Sequence, residues 1–171
     1  MAATQFFGQP VRRNEDPRLL TGQALFVDDV HLEEMAHAAF LRSPYAHARI
    51  LGIDVSRALA RTGVLAAYTA ADLGDYWQPG PLLVPPPPIE GIEFNQRNQV
   101  PLAKDKVRFS GEPVVMLVAE DRYIAEDALQ DIEVDYDPLP VVANLEGALQ
   151  ETSPLVHDDL GSNLCAHVVQ T

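Results

Sequence analysis

The sequence predicts an α+β fold in which two β-α-β units pack on a mixed sheet behind an extended N-terminal arm. Two observations support this prediction. Strand-like apolar segments flank a short helical segment over residues 48–69 and again over residues 114–136. The first 34 residues show no such alternation and carry many charges.

Composition narrows the class of protein. A chain of 171 residues is long enough for one domain with a buried core. Its 25 acidic residues against 12 Lys and Arg give a net charge of −13, which repels phosphate backbones, so we expect no nucleic acid partner. No apolar run approaches the roughly 18 residues of a membrane span, and no secretory signal begins the chain, so we expect a cytoplasmic protein away from membranes.

The N-terminal arm comprises residues 1–34. Its segment from Arg12 to Asp29 is charged and irregular, with a turn at Thr21–Gly22 and a short strand predicted at Ala24 to Val27. Few of its groups can join a core. We therefore expect an extended arm that lies on another surface.

The first β-α-β unit begins with two predicted strands, Ala36 to Arg42 and Ala48 to Val55. Ser56 is predicted to cap a short helix, because its hydroxyl can accept a hydrogen bond from a free backbone N–H. Gly63 ends that helix in a left-handed conformation, and Val64 to Thr69 forms the next strand.

A proline-rich insertion at residues 78–91 interrupts the domain. Four consecutive prolines, Pro85 to Pro88, fix φ and remove backbone donors, which favours polyproline II. We interpret the insertion as a stiff surface loop, with recognition by a proline-binding module as the alternative.

The second unit opens with Val114 to Ala119, a continuous apolar run typical of a strand covered on both faces. Asp121 is predicted to cap the following helix, of which one face carries Ile124, Ala125 and Ala128. Residues 132–136 then alternate apolar and acidic side chains, the period of a strand with one solvated face.

The end of the chain holds two further predicted elements. Asn144 caps a last short helix, and Cys165 to Gln170 forms a strand without a following turn. We expect residues 35–150 to form the domain and residues 151–171 to form a connecting segment. The unpartnered final strand suggests that the chain is one piece of a larger assembly.

The stretch from His31 to His37 places two imidazoles and two carboxylates within one short segment. A zinc protease needs its two histidines four residues apart on a helix, whereas these are six apart, so we interpret the stretch as a solvated turn. Asp28 and Asp29, with Glu33 and Glu34, could bind a hard cation, but they lack the spacing of a calcium loop.

The remaining reactive side chains form no recognisable catalytic pattern. His47, His157 and His167 are scattered, and no nucleophile elbow accompanies them. Cys165, the single cysteine, excludes an intrachain disulfide and is predicted to be a buried, inert thiol. Glu112 lies in a predicted turn and is expected to be solvated or paired across an interface. Neither glycine-rich phosphate-binding motif is present.

Four ordered stretches carry a family resemblance. They are residues 12–30, 38–58, 63–73 and the long segment from Phe109 to Val142, which reads FSGEPVVMLVAEDRYIAEDALQDIEVDYDPLPVV. The chain resembles the a/b hammerhead domain, the N-terminal part of the molybdenum-binding large subunit in the xanthine dehydrogenase, aldehyde oxidase and carbon monoxide dehydrogenase family.

The resemblance implies cofactors and partners outside this chain. Such large subunits bind molybdopterin cytosine dinucleotide and work with a [2Fe-2S] iron–sulfur subunit and an FAD flavin subunit. The family's cofactor-binding residues and catalytic glutamate lie C-terminal to the hammerhead domain. We therefore assign no catalytic, cofactor-binding or metal residue to this sequence, and Glu112 is not that glutamate.

The function expected from this resemblance is a non-catalytic structural component of a molybdenum hydroxylase, an oxidoreductase. It would dock the molybdenum-binding chain against the iron–sulfur and flavin subunits, and we expect a large subunit encoded in two pieces. One alternative is a stand-alone binding or regulatory module that kept the fold. Another is a small independent enzyme that uses His31 to His37.

Overall fold

In a computed structural model of the protein, residue 8, residues 10–81, 93–95 and 97–167, and residue 169 are described. The chain divides into two compact units, Met1–Met35 and Ala36–Thr171. Most of the proline-rich insertion, including the tetraproline Pro85 to Pro88, lies outside the described residues.

The first unit is built from short local turns. Helix α1 (Asp16–Leu20) starts with a proline in its first turn and ends before the turn at Thr21–Gly22, which the sequence predicted. The strand predicted at Ala24 to Val27 is wrong, because Val27–Asp29 forms a 3-10 turn. The Asp29 side chain accepts a hydrogen bond of 2.9 Å from the Phe26 backbone nitrogen, which closes the chain locally.

Three strands of the second unit form one antiparallel sheet. They are β1 (His37–Arg42), β3 (Val64–Tyr68) and β6 (Pro113–Ala119), and β6 lies between the other two. The rows of residues that face one another across this sheet are Phe40–Met116–Tyr68, Ala39–Leu117–Ala67 and Ala38–Val118–Ala66.

A second antiparallel sheet has the order β5 (Lys106–Val107), β2 (Ala48–Asp54) and β7 (Glu133–Pro138). The α+β class is therefore confirmed, but the strands lie in two antiparallel sheets instead of one mixed sheet. In the first unit, the short connection between the strands rules out parallel pairing. Residues 55–63 join β2 to β3, which is shorter than the roughly twelve residues that a parallel crossover requires.

Two short helices cross between the sheets. Helix α2 (Ser56–Leu59) connects β2 to β3, and helix α3 (Arg122–Ala128) connects β6 to β7. Asp121 caps α3, as predicted, and Ala125 and Ala128 are buried on the face that the sequence indicated. Ser56 is the first helical residue instead of the cap, since Asp54 already accepts a 2.9 Å hydrogen bond from its backbone nitrogen.

The core joins both sheets and both helices. Leu117, Val114 and Val115 of β6 and Val107 of β5 are its largest fully buried side chains. Only one face of the β1–β6–β3 sheet is fully covered by the described part of the chain: Ala39 and Leu117 are buried, whereas Phe40 is 40% exposed. The expectation that β6 is covered on both faces thus fails for its outward residues.

The C-terminal part contains α4 (Leu145–Ala148) and β8 (Ala166–His167). Asn144 caps α4 through a 2.6 Å hydrogen bond from the Gly147 backbone nitrogen, as predicted. Strand β8 pairs antiparallel with β4 (Glu93–Phe94), so the described part of the predicted terminal strand is paired. Within the described residues, no helix is long and apolar enough to cross a membrane.

Candidate functional site: a charged cavity

The second unit contains a cavity of about 930 Å³. Residues from four segments line it, namely 77 with 79–80, 97–100, 108–109 with 112, and 157–159, and its ionisable groups include Glu112, Arg108, Arg97 and His157. The cavity joins parts of the sequence that lie far apart, so only the folded chain creates it.

Glu112 is the buried carboxylic acid of the cavity, with 5% of its surface exposed. Gly111, at φ 91°, turns the chain immediately before it, and Ser43 donates from its backbone nitrogen to the Glu112 carbonyl at 2.9 Å. The side-chain Oε2 accepts a 2.5 Å hydrogen bond from the Arg108 backbone nitrogen. Burial raises the pKa of this carboxyl, and the Arg108 hydrogen bond and charge oppose the rise.

Two ion pairs border the cavity. Lys106 pairs with Asp158, and Arg97 pairs with Asp159. These hydrogen bonds lower the pKa of both carboxyls. Because both carboxylates are exposed, each pair contributes little to stability, and its effect is to position residues 158–159.

His157 and Arg108 supply the remaining polar groups. Burial lowers the pKa of His157, and the positive charges of Arg108 and Arg97 lower it further. The Arg108 side chain donates to the Lys106 carbonyl at 3.3 Å, and its Nε is buried without a hydrogen-bond partner in the described structure. The cavity therefore presents an unsatisfied donor and a neutral imidazole near pH 7.

The lining carries acidic and basic side chains, which could bind a polar group of another molecule. An anionic or polar group of another molecule could accept from Arg108.

The metal candidates from the sequence fall in both units. His31 lies in the first unit and His37 begins β1 of the second. Asp28 and Asp29 belong to the 3-10 turn Val27–Asp29. No group of three or more His, Cys, Asp or Glu suited to a metal ion occurs in the described ranges of the chain.

The three scattered histidines are also placed separately. His157 lines the cavity, whereas His47 is buried with its Nδ1 2.8 Å from the Pro140 carbonyl, and His167 lies exposed in β8. Cys165 is exposed, so its prediction as a buried thiol is wrong. The apolar neighbours that suggested burial do not cover it, because β8 pairs with one short strand only.

Glu112 is buried, so the expectation that it is solvated is wrong, whereas its pairing across an interface stays a prediction. Sequence reasoning also missed its hydrogen bond to the Arg108 backbone. The available signal was local: a glycine turn with an acid four residues after Arg108 can fold the carboxylate back onto a backbone nitrogen.

Comparison with known proteins identifies relatives over almost the whole chain. Residues 21–140 match the family model described as aldehyde oxidase and xanthine dehydrogenase, a/b hammerhead domain. The carbon monoxide dehydrogenase large chain of Afipia carboxidovorans is 41% identical over 156 residues, which are 91% of this chain and 18% of that relative. The nicotine 6-hydroxylase large subunit of Paenarthrobacter nicotinovorans is 41% identical over 84% of this chain and 17% of its own length.

Solved structures agree. Quinoline 2-oxidoreductase from Pseudomonas putida 86 superposes with a TM-score of 0.80 at 43% identity, over 92% of this chain and 19% of that chain. The Cu,Mo-CO dehydrogenase gives a TM-score of 0.73 at 37% identity, with the same coverage of this chain. The chain thus spans less than a fifth of the length of these relatives.

Proposed function

The chain belongs to the aldehyde oxidase and xanthine dehydrogenase family through its a/b hammerhead domain, and on that premise we propose that it is a non-catalytic structural component of a molybdenum hydroxylase. One observation supports this above all. Nearly the whole chain matches large subunits, yet it corresponds to only 16–19% of the first relatives and neighbours. The remaining four fifths would supply the chemistry.

The component docks the molybdenum-binding polypeptide against the iron–sulfur and flavin subunits. The arm supports this role, because Leu20, Phe26 and Val27 are 86%, 62% and 88% exposed and so contribute little to a core. Exposed apolar side chains on an arm suit contact with another protein.

The cofactors of the assembled enzyme reside in partner polypeptides. Molybdopterin cytosine dinucleotide would belong to the molybdenum-binding part, and the [2Fe-2S] clusters and FAD to the two other subunits. The described residues offer no ligand set for a metal ion, and no residue of this chain is assigned to hold a cofactor.

The charged cavity favours a second candidate function, a stand-alone binding or regulatory module. Its lining includes the positively charged side chains of Arg108 and Arg97, beside which an anionic ligand could bind in the isolated chain. This module would need no molybdenum-binding partner.

Native mass spectrometry with metal analysis separates the two functions. The tagged chain is expressed in its own host and purified without denaturant. A complex that contains this chain with molybdenum, iron and flavin supports the structural component. A lone, metal-free chain, while a molybdenum hydroxylase assembles without it, supports the module.

A further inference from the structure

The outward face of the β1–β6–β3 sheet is apolar. Side chains alternate across a sheet, so residues that flank the buried Ala39 and Leu117 and the partly buried Ala67 point to the opposite face. That outward face consists of two adjoining rows, Phe40–Met116–Tyr68 and Ala38–Val118–Ala66. We call these six residues the outer face.

The outer face remains accessible in this chain. Phe40 is 40% and Tyr68 is 38% exposed, and Met116 and Val118 are only partly buried. Helix α3 contacts all three strands, and Ala125 and Ala128 of α3 belong to the buried core with Ala39 and Leu117, on the inner side. A contiguous apolar face of this kind on a soluble domain marks a contact surface.

Arg42 places a positive charge at the edge of the outer face. The Arg42 guanidinium lies 5.9 Å from the Phe40 ring centroid and donates to the Gly111 carbonyl at 2.9 Å. In the described structure it forms no ion pair with a carboxylate. A partner with an apolar patch and an acidic group beside it would fit this surface.

We propose that the outer face is where the rest of a molybdenum hydroxylase large subunit packs on this chain, an inference that rests on the proposed function. In the relatives, more than four fifths of the same polypeptide lies outside the matched segment. In the relatives this polypeptide is covalently attached to the matched segment. Its effective concentration at the outer face is therefore far higher than that of any separate subunit.

Charge argues against a second copy as the occupant. Each chain carries a net charge of −13, so two copies brought face to face would repel across the rim. A different polypeptide has no such constraint.

The test measures recovery of the molybdenum-binding polypeptide with the tagged full-length chain from its host, quantified by peptide mass spectrometry. We expect Phe40→Glu with Tyr68→Glu to lower recovery about tenfold or more, because loss of a central interface contact weakens affinity by that factor. Phe40→Thr with Tyr68→Thr introduces β-branched residues, which suit strands, and should lower recovery while thermal unfolding stays close to wild type. Leu51→Glu, at a 62% exposed strand residue of the other sheet, is the matched control and should recover as wild type does.

Each outcome decides the proposal. Equal recovery by wild type and both double variants would overturn the proposal that the outer face is the contact surface, and it would leave the proposed function intact. A wild-type chain that recovers no such polypeptide would overturn both. Light scattering of the isolated chain adds the last outcome: a wild-type dimer that Phe40→Thr with Tyr68→Thr converts to monomer would assign the face to a second copy instead.

Discussion

The Oε2 atom of Glu112 accepts a 2.5 Å hydrogen bond from the backbone nitrogen of Arg108, so a nearly buried acid closes the turn that leads into the central strand β6. This bond holds the carboxyl in a place where solvation is poor. Burial therefore raises its pKa, although the hydrogen bond favours the charged form.

The raised pKa of Glu112 predicts a pH dependence. An acid whose pKa is raised by folding stabilises the protein below its unfolded pKa, near 4.5, and that contribution is lost as the pH rises through the folded value. Glu112→Gln removes the titration and keeps an oxygen acceptor for Arg108. We expect the stability of wild type relative to Glu112→Gln to fall as the pH rises above about 4.5, measured by urea unfolding at each pH.

Glu112→Ala serves as the companion variant, because it leaves the Arg108 backbone nitrogen without its acceptor. Neither variant titrates, so the free energy of unfolding of Glu112→Ala should be lower than that of Glu112→Gln by about 1–3 kcal/mol at every pH. A stability difference between wild type and Glu112→Gln that is constant or grows with pH would contradict the assigned pKa direction.

Helix α3 depends on its cap. The Asp121 side chain accepts from the backbone nitrogens of Tyr123 at 2.7 Å and Ile124 at 3.4 Å. Asp121→Ala should lower the free energy of unfolding by about 1 kcal/mol (range ~0.5–2), as loss of an N-cap does. Glu126→Ala, at an exposed position within the same helix, is the control and should change stability by less than about 0.5 kcal/mol. Similar losses in both variants, by chemical denaturation, would argue against the cap.

Sequence reasoning succeeded where the determinants are local. The caps at Asp121 and Asn144 depend on neighbours a few residues away, and both are present. Gly63 is left-handed as predicted, but the prediction that it ends the helix is wrong, because α2 ends at Leu59 with Ala60 as its C-cap. Ser56 is not the cap, because the helix already begins at Ser56. The Asp54 side chain, two residues earlier, accepts the hydrogen bond from the Ser56 backbone nitrogen.

The pairing of strands and the burial of side chains depend on distant residues. The division into two sheets brings β6 between β1 and β3, which lie 45 or more residues earlier in the chain, and no local pattern specifies this. The exposure of Cys165 and the cavity around Glu112 follow from the same long-range arrangement.

Gly63 provides a test of local backbone geometry. Its φ of 86° lies in the left-handed region, and an added Cβ would lie 2.8 Å from Ile124 Cδ1. That methyl is the end of a flexible side chain and can move, so the backbone supplies most of the cost. Gly63→Ala should lower the free energy of unfolding by about 1–2 kcal/mol.

Gly52→Ala is the matched control, since Gly52 lies in β2 with no atom within 4 Å of an added Cβ and without a positive φ. We expect its stability to be equal to or slightly above wild type. If both alanine variants lost the same stability in urea titrations, the left-handed conformation at Gly63 would not be the cause.

The N-terminal arm separates assembly from folding. Large apolar side chains of this segment are mostly exposed, among them Leu20, Leu25 and Phe26 at 86%, 73% and 62%. Deletion of residues 1–31 removes few buried contacts, so the Tm of the isolated chain should change by less than about 3 °C, or roughly 1 kcal/mol. If the arm lies on a partner, the same deletion should reduce recovery of the molybdenum-binding polypeptide severalfold, because those side chains would lose their burial.

A full-length variant isolates the apolar contribution of the arm from its length. Phe26→Ser with Val27→Ser keeps the turn at Val27–Asp29, in which Asp29 bonds the Phe26 backbone nitrogen, and removes two exposed apolar groups. This variant should show the same selective loss of assembly at unchanged Tm, measured by differential scanning calorimetry beside the recovery assay. A deletion that lowers the Tm well beyond this limit together with recovery would instead make the arm part of the folding unit. Loss of recovery would then follow from loss of folding.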